Sequence, residues 1–141
     1  MLAAIGDTAG ARRIWTEAIS RKEAQLERHE NPHLRASLGY AYAKSGNREK
    51  ALHQVRQMLA PDPQHPVFLF FAAEIRALLG ERRGALDALK GAVENGFLNL
   101  PAIDGMSRLR IGTLRSLRND SEFLAIRADL ARRVDERRAQ Y

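Results

Sequence analysis

Residues 32–46 read PHLRASLGYAYAKSG, and residues 66–80 read PVFLFFAAEIRALLG. Each stretch begins with a proline and ends with a glycine. Proline is favoured in the first turn of an α-helix, where its missing N–H is no loss, and glycine is favoured just after the last turn. The two stretches therefore predict two helices of similar length. Because Pro32 and Pro66 are 34 residues apart, they also indicate an internal repeat.

The 34-residue shift extends beyond these two stretches. Three further pairs of small or apolar residues match at the same shift: Ala51 and Ala85, Leu52 and Leu86, and Val55 and Leu89. A second helix is expected soon after each glycine, because these residues recur at helical spacing. Each unit is therefore predicted to be a helical hairpin, the first over residues 32–65 and the second over residues 66–98.

The first hairpin carries small and apolar residues in a recognisable order: Leu38, Gly39, Tyr42, Gly46, Ala51, Val55 and Pro63. This order and spacing resemble the tetratricopeptide repeat. Gly39 and Ala51 are the small residues that let the two helices of one hairpin approach closely. The chain departs from the family at Arg35, which replaces a large aromatic residue, at Arg76, which replaces a tyrosine, and at Phe97, which replaces a closing proline.

The resemblance implies an all-α fold, a right-handed superhelical solenoid of antiparallel helical hairpins. Residues 1–31 are interpreted as a partial first hairpin, because Gly6 and Ala11 repeat the glycine-to-alanine interval of the later units. Trp15 follows them, and a helix is expected over about residues 8–28. Since almost no sequence precedes Gly6 to form a first helix, we expect a fragment of a longer solenoid. The alternative is a truncated first helix with a partly open seam beneath Trp15.

Residues 99–141 break the period and are predicted to form a divergent capping segment, closed by a C-terminal capping helix. A short turn or a single helical turn is expected over residues 99–105, and a short helix is expected to carry Leu109, Leu114 and Leu117. The last helix is expected from Glu122 onward and has one apolar stripe, formed by Phe123, Ile126, Leu130 and Val134. Residues 117–124 resemble the ending that follows such repeats in large bacterial multidomain signalling or regulatory proteins, including protein kinases and transcriptional regulators.

The sequence offers little for catalysis or for binding a cofactor or metal. It has no cysteine, and its four histidines lack the spacing of zinc ligands on a helix. No phosphate-binding glycine loop and no nucleophile elbow occurs. Asp104, Asp120, Ser107 and Ser121 lie at predicted turns, where such residues usually cap helices. His65 is expected to be an exposed loop residue. We therefore predict no enzyme, no catalytic residue, no metal site and no cofactor.

By the family resemblance, the first helix of each hairpin lines a concave groove. The groove residues on the first helices would be His33, Ser37, Tyr40 and Lys44 in one unit and Val67, Phe70, Phe71 and Glu74 in the next. Phe70 and Phe71 point about 100° apart on a helix, so at least one is expected to face the groove or the neighbouring hairpin. The alternative for this apolar cluster is core packing.

Family members that bind acidic C-terminal tails of chaperones use lysine, asparagine and arginine in the groove. The corresponding residues here are Ala36, Tyr40 and Phe71. The groove is therefore expected to favour a hydrophobic or amphipathic peptide over a doubly acidic tail.

These patterns favour a non-catalytic protein-interaction module that binds a peptide or helix of a partner protein. One alternative is a regulatory or scaffolding C-terminal segment of a bacterial kinase or transcriptional regulator. Another is a basic nucleic-acid-binding domain, suggested by a net charge of +6 and nineteen arginines, but these arginines are interleaved with acidic residues along helices. A further alternative is a homo-oligomer formed through the open N-terminal hairpin.

The longest apolar run, residues 67–73, is too short to span a membrane. The N-terminus also lacks the basic start of a secretory leader. A cytoplasmic location is therefore expected.

Overall fold

The computed structural model describes residues 8–104 and 114–140 of the chain. Within these ranges the fold is all-α, as predicted, and contains no strand. Its helices are α1 (Thr8–Arg28), α2 (Pro32–Lys44), α3 (Arg48–Leu59), α4 (Pro66–Leu78), α5 (Arg82–Glu94), α6 (Leu100–Ile103) and α7 (Ser121–Ala139), with a 3-10 turn (Arg115–Leu117) before α7. The sequence predictions for Gly6, Gly105, Ser107 and Leu109 lie outside the described residues.

The starts of α2, α4 and α7 follow from capping side chains. Asn31 Oδ1 accepts the His33 N–H at 2.9 Å, and Pro32 opens α2 as predicted. Asp120 Oδ1 accepts the Glu122 N–H at 2.9 Å, so its predicted capping role is confirmed. His65 was expected to be an exposed loop residue; it lies in the turn before α4, as expected, but it is half-buried and not exposed. Its Nδ1 accepts the Phe68 N–H at 3.4 Å, which makes half-buried His65 the N-cap of α4.

Three glycines with positive φ end α2, α4 and α5: Gly46 at 84°, Gly80 at 76° and Gly96 at 107°. In each case the next N–H reaches a carbonyl five residues back; the Asn47 N–H, for example, donates to the Tyr42 carbonyl at 2.8 Å. This pattern satisfies carbonyls at the helix end and requires a left-handed residue, which glycine adopts without strain. The sequence predicted the first two of these turns and missed the third.

Gly39 allows three helices to meet. A Cβ atom at this position would lie 3.4 Å from the Gln54 Cβ of α3 and 2.8 Å from the Ile75 Cδ1 of α4. The predicted close approach of α2 to α3 is therefore confirmed, and α4 approaches the same point. Around it lies the first core cluster, whose fully buried members include Leu38, Ala51, Val55, Met58 and Ile75.

A second core cluster joins α4 and α5 to α7. Leu86, Leu89 and Val93 of α5 are buried together with the predicted stripe of α7, in which Phe123, Ile126 and Leu130 are buried and Val134 is partly buried. Helix α7 runs parallel to α5, because Arg83 near the start of α5 binds Glu122 and the Arg133 Nη1 donates to the Val93 carbonyl at 3.4 Å near its end.

Equivalent ion pairs join successive helix pairs. Arg48 at the start of α3 donates to the Leu79 carbonyl at 3.1 Å and pairs with Glu81, the N-cap residue of α5. Arg82, 34 residues later at the start of α5, pairs with Asp120, the N-cap residue of α7. Arg76 also binds Glu81, at 2.6 Å. None of these pairs was predicted from the sequence.

None of the helices in the described ranges is both long enough and apolar enough to cross a lipid bilayer.

Candidate partner-binding groove

The predicted groove residues of α2 form one stripe along the helix. They follow one another at intervals of four, three and four residues, which places them on a common face. We call this set the α2 stripe, and its members are His33, Ser37, Tyr40 and Lys44. His33 and Lys44 are exposed at the two ends, whereas Ser37 and Tyr40 are half-buried between them. At about 1.5 Å per residue, the stripe is about 16 Å long.

The His33 end of the α2 stripe contacts aromatic rings of α4. The His33 ring centroid lies 5.5 Å from that of Phe68 and 5.8 Å from that of Phe71, with both pairs edge-on. The ring of His65 stacks on that of Phe68, with the two centroids 4.0 Å apart. Phe68 was not among the predicted groove residues. Phe68 lies three residues after His65, the N-cap residue of α4, and this spacing could have indicated that Phe68 lies beside the capping side chain.

The predicted residues of α4 divide between surface and core. Val67 is 38% exposed and Phe71 is half-buried on the same face as Val67, one turn later. Phe70 is only 5% exposed, because the ring of Phe97 stacks on it at 4.4 Å. Glu74 is 2% exposed. In this structure a partner cannot contact Phe70 or Glu74, so the accessible part of the predicted α4 set reduces to Val67 and Phe71.

The burial of Phe70 has a local cause. The glycine turn after α5 brings the chain back so that the Phe97 N–H donates to the Ala92 carbonyl at 2.9 Å, and the Phe97 side chain then packs on α4. A proline at this position would have neither that N–H nor that ring. Phe97 therefore accounts for the burial of Phe70.

The Lys44 end of the α2 stripe is aromatic and cationic. The Trp15 ring of α1 meets the Tyr40 ring edge-on at 6.2 Å, and the Lys44 Nζ lies 6.0 Å from the centroid of Tyr40. The structure places Trp15 half-buried beside the α2 stripe. No carboxylate in the described ranges forms an ion pair with Lys44.

Three arginines of α7, Arg127, Arg132 and Arg133, are paired with acids. Arg127 binds Asp104 through two hydrogen bonds of 2.6 and 2.7 Å, which lower the pKa of the Asp104 carboxyl and raise the pKa of Arg127. Arg132 and Arg133 both bind Asp129, and the hydrogen bond from Arg132 is the main reason for the lowered pKa of this carboxyl. These three arginines therefore offer little uncompensated positive charge.

The described residues contain no group of three or more His, Asp and Glu side chains that could hold a metal ion. A cleft of about 210 Å³ between α5 and α7 is lined by Val93, Ile126 and charged residues, but those charges are used in ion pairs such as Arg83 with Glu122. A cleft of about 370 Å³ near His29 and Leu34 is open to solvent.

No family model, curated protein or solved structure matches the chain.

Proposed function

We propose that the chain is a non-catalytic protein-interaction module, which binds a peptide or helix of a partner protein along the α2 stripe and the neighbouring end of α4. One observation carries this proposal: His33, Lys44 and Val67 remain exposed on two adjacent helices whose ends are fixed by capping hydrogen bonds. A surface that is ordered before binding loses less conformational entropy when a partner arrives. Such a surface suits recognition of a linear segment.

In the proposed architecture, the hairpins stack as a solenoid similar to tetratricopeptide repeats, and α7 covers the last hairpin. Equivalent glycine turns at Gly46 and Gly80 support this arrangement, as do the equivalent contacts of Arg48 and Arg82. In a right-handed superhelix of this kind, α2 and α4 lie side by side on the concave face. The α2 stripe then lines the groove.

A regulatory or scaffolding segment of a bacterial kinase or transcriptional regulator would use the same surface, with the ligand supplied by another part of the assembly. The nucleic-acid alternative is less favoured, because Arg127, Arg132 and Arg133 already bind carboxylates. Neutralised arginines contribute little to the counterion release that drives binding to nucleic acid.

Site-specific photo-crosslinking tests the proposal. A photoreactive phenylalanine analogue replaces His33 or Lys44 on the groove, and in matched controls it replaces the exposed residues His53 or Arg56 of α3. In cells that contain the native partner, we expect an adduct of defined mass from the groove positions alone. Adducts from all four positions, or from none of them, would contradict the proposal. An adduct of twice the mass of the chain would identify a second copy as the partner.

A further inference from the structure

We infer that the partner segment is amphipathic, and that it carries a large apolar side chain and a carboxylate about 16 Å apart. The apolar side chain contacts Val67 and His33, and the carboxylate pairs with Lys44. This inference rests on the proposed function and specifies the chemistry of the ligand at the same groove.

The apolar end is defined by exposed carbon surface over packed rings. Val67 is 38% exposed, and it lies one turn before Phe71 on the same face of α4. The exposed His33 ring rests edge-on against Phe68 and Phe71. An apolar side chain bound here contacts a methyl-bearing residue and an imidazole that are already held in place. Partner segments are often anchored at ordered surfaces by a large apolar residue.

The polar end is defined by the charge of Lys44. Its ammonium group lies over the Tyr40 ring, which holds one side of it and leaves the other side open to solvent. By contrast, Arg48 binds Glu81, and Arg35 binds Glu30 at 2.9 Å. Lys44 has no carboxylate partner in the described part of the chain. A carboxylate on the partner would complement this charge.

The distance between the two ends fixes the spacing of the ligand residues. His33 and Lys44 are eleven positions apart on α2. A partner helix lying alongside α2 has the same rise, so its apolar and acidic residues would also be about eleven positions apart. An extended segment would cover the same length in about five residues. The half-buried Ser37 and Tyr40 between the ends place no charge opposite the middle of the ligand.

Designed peptides test this chemistry without a known partner. The probes are helical peptides on an alanine and glutamine background, with leucine and glutamate eleven positions apart, made in both orders along the chain. Trp15 is the only tryptophan and contacts Tyr40, so its fluorescence reports binding at the Lys44 end. We expect saturable binding by a glutamate peptide. Replacing its glutamate with lysine should weaken binding about fivefold, as expected for an exposed charge pair.

Charge reversal at Lys44 tests whether this residue recognises the carboxylate of the peptide. Lys44→Glu should reverse the preference, so that the lysine peptide binds more tightly than the glutamate peptide. Arg56→Glu on α3 makes the same change in net charge at an exposed position away from the groove, and it should leave the original preference intact.

The apolar end is tested by Val67→Glu. Val67 lies in the first turn of α4, where a carboxylate is favourable to the helix dipole, so the fold should persist. Binding should weaken about tenfold, because a charge replaces an apolar contact. Leu124→Glu, at a position 49% exposed on α7, makes the matching change elsewhere and should have no effect on binding.

The inference is overturned if neither peptide order binds below about 1 mM. It is also overturned if glutamate and lysine peptides bind equally, or if Leu124→Glu weakens binding as much as Val67→Glu does. Adducts at His33 and Lys44 combined with any of these results would leave the proposed function in place and reject only the ligand chemistry. Absence of adducts from both positions would reject the proposed function itself.

Discussion

At Gly39 a single missing methyl group sets the distance between three helices. A Cβ atom here would lie 2.8 Å from the Ile75 Cδ1, closer than packed carbon atoms allow. We expect Gly39→Ala to lower the free energy of unfolding by about 1–3 kcal/mol, because the fully buried Ile75 must shift. Urea denaturation followed by circular dichroism measures the change.

Gly91→Ala in α5 is the matched control for Gly39→Ala. A Cβ atom at this position would meet only the Leu69 Cδ1, at 3.4 Å. Since alanine is favoured over glycine inside a helix by up to about 1 kcal/mol, this variant should be neutral or more stable. Equal losses at Gly39 and Gly91 would show that the close approach of the helices is not what requires glycine at position 39.

Tyr42 is a second residue whose environment has a measurable consequence. Burial raises the pKa of Tyr42 to about 12, and the hydrogen bond from its hydroxyl to Glu23 Oε2 at 2.9 Å adds to the effect. Because the pKa is higher in the folded state, the stability due to this group is complete below pH 10 and is lost as the pH rises toward about 12.

We therefore expect Glu23→Gln to lower the pKa of Tyr42 only in part, because burial remains. Titration of tyrosine absorbance, with Tyr42→Phe to assign the signal, measures this shift. The prediction fails if the pKa in Glu23→Gln matches that of the unmodified chain. It also fails if stability does not decline between pH 10 and 12.

At the scale of helices, α7 is held on the rest of the fold by buried apolar residues and by ion pairs. Hydrogen bonds from arginines lower the pKa values of Asp104, Asp120 and Glu122. Carboxyl groups with lowered pKa values stabilise the folded state above their unfolded pKa, and this contribution is lost as the pH falls through the folded value. Acid should therefore weaken the packing of α7.

We expect the melting temperature to fall as the pH drops from about 5 toward 3, and Asp104→Asn to reduce that dependence. Thermal melts across this range provide the measurement, and Asp62→Asn, at an exposed turn residue without an ion pair in the described ranges, is the control. An identical pH dependence in Asp104→Asn and the unmodified chain would show that the pair with Arg127 contributes nothing.

The same helices show what the sequence could predict. Pro32, Pro66, Gly46 and Gly80 act on their own turns, so local rules located the ends of α2 and α4. The groove depended on contacts distant in sequence. Whether Phe70 or Phe71 faces the surface is decided by Phe97, whose ring returns from the end of α5. A periodic pattern identifies a helix face, but it does not show which neighbouring side chain will cover that face.

Over the whole molecule, the helices share two core clusters, and α4 contributes to both through Ile75 and Phe70. Helix α1 packs mainly against α2, and its apolar residues Ile19 and Leu26 are only partly buried. In the proposed array of stacked hairpins, stability is a sum over neighbouring contacts, so it should be lowest at an end and highest where both sides are covered. We therefore expect amide hydrogen exchange to be fastest in α1 and slowest in α4 and α5.

Two truncations of isoleucine test this gradient. Ile19→Ala should speed exchange in α1 and leave α5 unchanged, because it removes a contact only at the end of the array. Ile75→Ala removes a fully buried side chain at the centre, and it should lower the free energy of unfolding by about 2–5 kcal/mol and speed exchange in every helix. Mass spectrometry of peptides from each helix separates the two responses. If Ile19→Ala speeds exchange in α5 as much as in α1, the helices unfold as one cooperative unit, and stability is not graded along the chain.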